Sequence, residues 1–224
     1  MTFSQRLVVG TFKVITSLIC RIDDAELEKV PRHGPLIIYT NHVNILEIPI
    51  FYTHLQPRRT HVMALAERWE NPFFHWLLDV AEAIPLHRGE ADITAIRKGL
   101  EILAKGEILT IAPEGTRSHD GKLQSAHPGV VLLALHSRAP LIPVAFYGAE
   151  KYQANLSRLK RTDFHLRVGK TFRLETRGEK VTRQVRGKIM DEMMYQLALV
   201  LPPEYRGRYA DQSAASTKYL VFDH

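Results

Sequence analysis

His42 and Glu47, in the stretch Asn41-His-Val-Asn-Ile-Leu-Glu47, have the residue types of a general-base pair. A carboxylate bonded to one ring nitrogen fixes the tautomer of an imidazole, and the other nitrogen can then take a proton from a hydroxyl. Five residues apart on one helix, the two side chains would point about 140° from each other and could not cooperate. With His42 in a loop and Glu47 in the first turn of a following helix they can meet, and the positive end of the helix dipole favours a carboxylate there. The spacing alone does not decide for catalysis. The chain holds 11 histidines and 24 acidic residues, and most such pairs arise by chance. Asn41 and Asn44 read equally as capping or turn residues.

A second segment, Ala112-Pro-Glu-Gly-Thr-Arg-Ser118, collects groups suited to an anion. Gly115 permits backbone conformations closed to other residues and a close approach by a ligand. Arg117 offers a planar fork for phosphate or carboxylate, and Thr116 and Ser118 add hydroxyls. By composition the segment reads as readily as a polar turn with Glu114 as a capping carboxylate.

The surrounding chain alternates apolar runs with helical periods. Strands are predicted at Leu36–Tyr39, His61–Ala66, Ala83–Leu86, Glu107–Ile111, Leu141–Phe146 and Phe164–Val168. Helices are predicted over 48–55, 72–80, 93–103 and 130–136. A long amphipathic helix runs from Val181 to Val200, its Met190, Met193 and Met194 reading as core. Such alternation predicts an α/β fold with a mainly parallel, mixed sheet flanked by helices. Folds of this kind place their sites in loops after strands. The stretches 40–47, 87–88 and 112–118 all lie there, the second carrying Arg88.

With 224 residues, the chain suits one substantial core. Residues 1–22 read as an apolar helix, 23–201 as the main domain and 202–224 as a loose polar tail. Lys13 interrupts the apolar run Leu7–Ile19, which argues against a spanning helix or a signal peptide. The run reads either as an interfacial helix or as a helix packed on the domain. A net charge of +6 favours anionic partners. Zinc-finger spacing, RNP-like motifs and long basic blocks are lacking, so nucleic acid is not expected. The lone Cys20 forms no intrachain disulfide and reads as a small apolar residue in a protein of a reducing compartment.

Taken together and in this order, the segments resemble the glycerolipid acyltransferase family that includes the 1-acylglycerol-3-phosphate acyltransferases. The family's first motif, Asn-His-x-x-x-x-Asp, corresponds to Asn41-His42 with Glu47, a His-x-x-x-x-Glu variant. Its third, Pro-Glu-Gly-Thr-Arg-Ser, is Pro113–Ser118. Its second, an apolar strand ending in Arg, corresponds to Ile84–Arg88, and its fourth to Leu141–Ala145 around Pro143, itself read as structural. The resemblance covers about residues 31–150. Glu47 departs from the usual Asp, as in relatives that acylate glycolipids. His127 stands near a common Lys.

The resemblance implies that His42 is the general base and Glu47 its orienting partner. The substrate-binding set would be Arg88 and Arg117 with Thr116 and Ser118, Glu114 and Gly115 shaping the loop, to hold the acceptor's phosphate or polar head. The acyl donor would be acyl-CoA or acyl carrier protein, as substrate, with no metal, cofactor or acyl-enzyme. The acceptor would be a lysophospholipid, most naturally 1-acylglycerol-3-phosphate, which yields phosphatidic acid in phospholipid biosynthesis. A glycolipid or other polar alcohol is the alternative acceptor. A lipid hydrolase and a non-catalytic basic lipid-binding module are the alternative classes. The resemblance also implies a monotopic or peripheral protein on the cytoplasmic face of the cell membrane, held at an anionic surface by residues 1–22.

Overall fold

The computed structural model of the protein describes residues 3–87 and 92–223. Among the described residues, nine strands form one sheet: β1 (Cys20–Asp23), β2 (Leu36–Thr40), β3 (Thr60–Leu65), β4 (Ile84–Leu86), β5 (Ile108–Ile111), β6 (Leu141–Tyr147), β7 (Thr162–Val168), β8 (Phe172–Leu174) and β9 (Leu220–Phe222). The helices are α1 (Phe3–Ile19), α2 (Glu47–His54), α3 (Pro72–Val80), α4 (Ile93–Ala104), α5 (Gly129–Ser137), α6 (Tyr152–Ser157) and α7 (Arg183–Leu199).

The main strand order is β1-β7-β6-β2-β5-β3-β4. From β6 through β2, β5 and β3 to β4 every pairing is parallel. The strand β7 turns antiparallel to β6, and β8 joins β6 antiparallel at Leu141. The α/β sheet flanked by helices, mainly parallel and mixed, is therefore as the residue pattern predicts.

A parallel strand covered on both faces needs apolar residues at every position. All five residues of β2 are buried. Leu36 and Ile38 join the core with Ile50 and Phe51 of α2, whereas Ile37 and Tyr39 join the core with α4, α5 and α7. The Tyr39 hydroxyl donates to the Met193 carbonyl at 2.9 Å. Met190, Met193, Met194 and Leu197 are buried, so the Met-rich helix is core. Tyr39 lies opposite Ile111 in the register of β2 with β5. The loops leaving the carboxyl ends of these two strands thus start side by side.

The helix α1 packs on α2, with Val8 and Thr16 buried. Its other face leaves Leu7, Val14, Ile15 and Leu18 exposed. The helix thus docks on the domain and leaves an apolar face exposed. No helix among the described residues is long and apolar enough to cross a membrane. Cys20 is buried in β1, which pairs with β7.

The expectation of a loose tail is corrected. Beyond α7 the chain runs back over the domain, burying Tyr209, Tyr219 and Leu220, and ends in β9 paired with β8. Buried Glu192 on α7 organises this return, accepting from Ser216 Oγ (2.6 Å), Lys218 N (3.0 Å) and Tyr219 N (2.9 Å). A segment whose apolar residues are widely spaced among polar ones shows no period, so its packing escapes pattern reading.

Candidate active site

Asn41 follows directly on β2 and is almost fully buried. Its side chain accepts from Phe146 N and donates to Phe146 O, both at 2.8 Å. A side-chain amide thus continues the pairing of β2 with β6 after the backbone has turned away. Asn44 accepts from Leu46 N at 2.8 Å and donates to Ala149 O at 3.1 Å. The turn reading fits Asn44, whereas Asn41 ties the end of β2 to β6 and neither caps α2; the turn brings His42 back over the start of α2.

Glu47 is the first residue of α2 and is buried. Its Oε1 accepts from Val43 N (2.7 Å) and Asn44 N (2.8 Å), and its Oε2 lies 2.6 Å from His42 Nδ1. The carboxylate therefore serves two orphan donors before the helix and the imidazole as well. An ionised carboxylate only accepts, so Nδ1 carries the hydrogen and Nε2 keeps its lone pair. The His42 side chain is 25% exposed, and Nε2 has no partner among the described residues. The loop-then-helix placement predicted for the pair is what the chain adopts.

The loop after β5 meets His42 from the other side. Ser118 N donates to the His42 carbonyl at 2.7 Å, and His42 N donates to Glu114 Oε1 at 3.3 Å. The other Glu114 oxygen accepts from Gln124 N at 3.1 Å. Burial pushes the Glu114 carboxyl up to about 7, against the pull of its two backbone donors, and the neighbouring charge of Glu47 pushes the same way. Both Glu114 oxygens are occupied and the side chain is buried. Its contacts brace the His42 backbone and the loop itself.

Ser118 is also buried, its hydroxyl bonded to Asp120 Oδ1 at 2.9 Å, so it too belongs to the frame and not to a ligand-facing surface. Gly115, Thr116 and Arg117 are exposed at the loop's crest. Gly115 adopts a φ of +67°, and a Cβ there would sit 3.2 Å from the His127 ring. The His127 amide donates to the Pro113 carbonyl at 2.8 Å, closing the base of the loop. The Arg117 guanidinium has no partner among the described residues, which leaves its fork open for an anion.

Arg88 lies outside the described residues. Its neighbour His87 bonds Asp92 Oδ2 through its amide (3.0 Å) and Nδ1 (2.9 Å). Asp92 caps α4 by accepting from Ala95 N at 2.9 Å, and these bonds hold its carboxyl down at about 2. Sequence reading missed Gln124, which holds the Glu114 brace of His42, and the bridge from Asn41 to Phe146. Each acts on a partner remote in the chain, which no local pattern reveals.

Comparison with known proteins bears on the same segments. The family model described as Acyltransferase matches residues 21–147, more than half of the chain. The chain is 28% identical over 144 residues to a 1-acyl-sn-glycerol-3-phosphate acyltransferase of Bacillus subtilis, covering 64% of this chain and 71% of that one. It is 31% identical over 118 residues to a lyso-ornithine lipid O-acyltransferase of Pseudomonas aeruginosa, covering 52% of this chain and 44% of that one. The crystal structure of a 1-acyl-sn-glycerophosphate acyltransferase from Thermotoga maritima superposes with a TM-score of 0.62 at 20% identity, covering 84% of this chain and 76% of that one.

Proposed function

The chain belongs to the acyltransferase family, and from that premise we propose that it moves a fatty acyl group from a thioester donor to the hydroxyl of 1-acylglycerol-3-phosphate, giving phosphatidic acid. The donor is acyl-CoA or acyl carrier protein, which enters as a substrate. One observation carries the reading: His42 Nδ1 is tied at 2.6 Å to a buried carboxylate, while Nε2 stands open beside the loop that presents Thr116 and Arg117.

In this reading Nε2 takes the proton of the acceptor hydroxyl as its oxygen attacks the thioester carbonyl. The new C–O bond forms, the C–S bond breaks, and the imidazolium returns the proton to the departing thiolate. Glu47 stabilises the charge on the ring throughout. General-base assistance of this kind contributes on the order of 10²–10⁴-fold. Arg117 and Thr116, with Arg88, bind the acceptor's phosphate, and backbone donors of the loop stabilise the developing oxyanion.

Lipid substrates place the enzyme at a bilayer. The exposed Leu7, Val14, Ile15 and Leu18 of α1, flanked by exposed Arg6 and Lys13, suit shallow insertion at an anionic surface on the cytoplasmic face. A second acceptor class, a glycolipid or other polar alcohol, is favoured by Glu47 in place of Asp. The Pseudomonas relative acylates a lyso-ornithine lipid, an acceptor other than 1-acylglycerol-3-phosphate.

The test is incubation of the purified chain with labelled acyl-CoA and a panel of lysophosphatidic acid, glycerol phosphate and glycolipids. Labelled phosphatidic acid supports the proposal, and label on a glycolipid supports the second acceptor. Free fatty acid that forms regardless of acceptor would make the protein a hydrolase. Failure to bind anionic liposomes with residues 1–22 intact would sink the membrane reading.

A further inference from the structure

The segment beyond α7 makes a backbone clasp on the loop that carries Glu114. Leu123 N donates to the Tyr205 carbonyl at 3.0 Å, and Arg208 N donates to the Leu123 carbonyl at 3.1 Å. Leu123 is gripped on both sides of its peptide and is buried. The next residue, Gln124, supplies the amide that holds Glu114, and Glu114 in turn holds the His42 amide. The grip demands a glycine. Gly207 has a φ of +47°, and a Cβ there would stand 2.3 Å from the Leu123 oxygen and 2.9 Å from its nitrogen. A backbone neighbour cannot swing aside as the end of a side chain can.

The clasp is itself anchored. Tyr209 is buried against Tyr195, ring centroids 5.2 Å apart, with its hydroxyl 3.4 Å from Asp191. The Tyr205 ring lies 5.5 Å from Tyr147, and its hydroxyl bonds Glu150 at 3.4 Å. Glu150 accepts from Gly148 N at 3.0 Å, so Tyr205 also reaches the turn that ends β6. Burial first, and then Asp191, push the Tyr209 phenol up to about 12.

We propose that Tyr205–Tyr209 is a positioning element of the acyl-transfer site, which sets the 113–127 loop through Leu123 and so places both the acceptor-binding crest at Thr116–Arg117 and the Glu114 brace on His42. The inference rests on reading His42 and Glu47 as the catalytic pair. Chemical groups displaced by about an ångström cost up to roughly 10²-fold in rate. A loosened clasp should therefore show in the kinetics of folded enzyme.

The experiment compares full-length wild type, Gly207→Ala and His42→Ala with acyl-CoA and lysophosphatidic acid, well below the unfolding temperature. Gly207→Ala is expected to lower kcat/KM by roughly 10²-fold, with the KM for the acceptor raised. Mere destabilisation would lower kcat in proportion to the unfolded fraction and leave KM alone, and that result overturns the proposal. Wild-type kinetics in folded Gly207→Ala also overturns it. Activity retained in His42→Ala would instead fail the catalytic reading itself. If Gly207→Ala does not fold, amide exchange in the wild type decides. Leu123 and Arg208 amides that exchange together, and slow together on adding lysophosphatidic acid, support the clasp, whereas independent exchange overturns it.

Discussion

In the loop after β2 the His42–Glu47 pair is made by local bonds, although Asn41 and Asn44 also tie the loop to Phe146 and Ala149. Glu47 reaches back three to five residues to bind Asn44 N, Val43 N and the His42 ring. The loop after β5 is held from afar, by His42 across 72 residues and by Tyr205 and Arg208 from beyond the last helix. The first loop holds the reacting imidazole. The second presents exposed Thr116 and Arg117 while hiding Glu114 beneath them. On the proposed function, this difference divides the labour: the base would be oriented by local bonds, and the acceptor would be bound by a surface whose position depends on the whole fold.

Breaking the local loop should have the largest effect. His42→Ala is expected to lower kcat by on the order of 10²–10⁴-fold with little change in acceptor KM. Steady-state kinetics over a range of lysophosphatidic acid check this, and a raised KM with normal kcat would reverse the assignment.

The long-range loop carries a stability signature. The folded Glu114 carboxyl is raised to about 7 from an ordinary value of 4.5, so the folded state holds this proton more tightly than the unfolded chain does. Its full stability is present below the unfolded value and falls as pH rises through the folded one, by about 3 kcal/mol between pH 4.5 and 8. Glu114→Gln should remove that slope. Denaturant unfolding of both proteins at pH 5 and pH 8 measures it, and identical pH dependence in the two would contradict the buried-carboxyl account.

A smaller effect is expected at the crest. Arg117→Ala removes one charge-assisted contact, worth about 1.5–3 kcal/mol, and should appear in acceptor KM while kcat is nearly kept. A loss confined to kcat would move Arg117 from binding into the chemical step.

The same contrast explains what could be read from the residues. The parallel strands were legible because runs such as Leu36–Tyr39 are buried throughout, and α4 because Ile96, Leu100 and Leu103 keep a helical period beside its buried Ala95, Gly99 and Ile102, although Ile93 at its start is exposed. Helix periodicity showed only that a loop placement of His42 lets it meet Glu47, and the motifs at Ile84–Arg88 and Pro113–Ser118 carried the pairing. Short strands such as β8 carry too few residues to show a period. The fold-back of 202–223 depends on Glu192 and Leu123, partners that nothing in the segment itself names. Glu114 was legible as a loop-shaping or capping carboxylate, but its partners His42 N and Gln124 N were not, because neither is marked by a local pattern.

The most direct test of the catalytic pair is the kcat/KM of Glu47→Gln. A glutamine oxygen can still accept from Val43 N and Asn44 N, so the loop should keep its fold and its unfolding midpoint. The amide nitrogen would then face His42 Nδ1 and donate to it, which moves the ring hydrogen to Nε2 and removes the base. The expected result is a wild-type fold with acyl transfer reduced on the order of 10²–10⁴-fold, close to His42→Ala. Near wild-type transfer by folded Glu47→Gln would contradict the dyad.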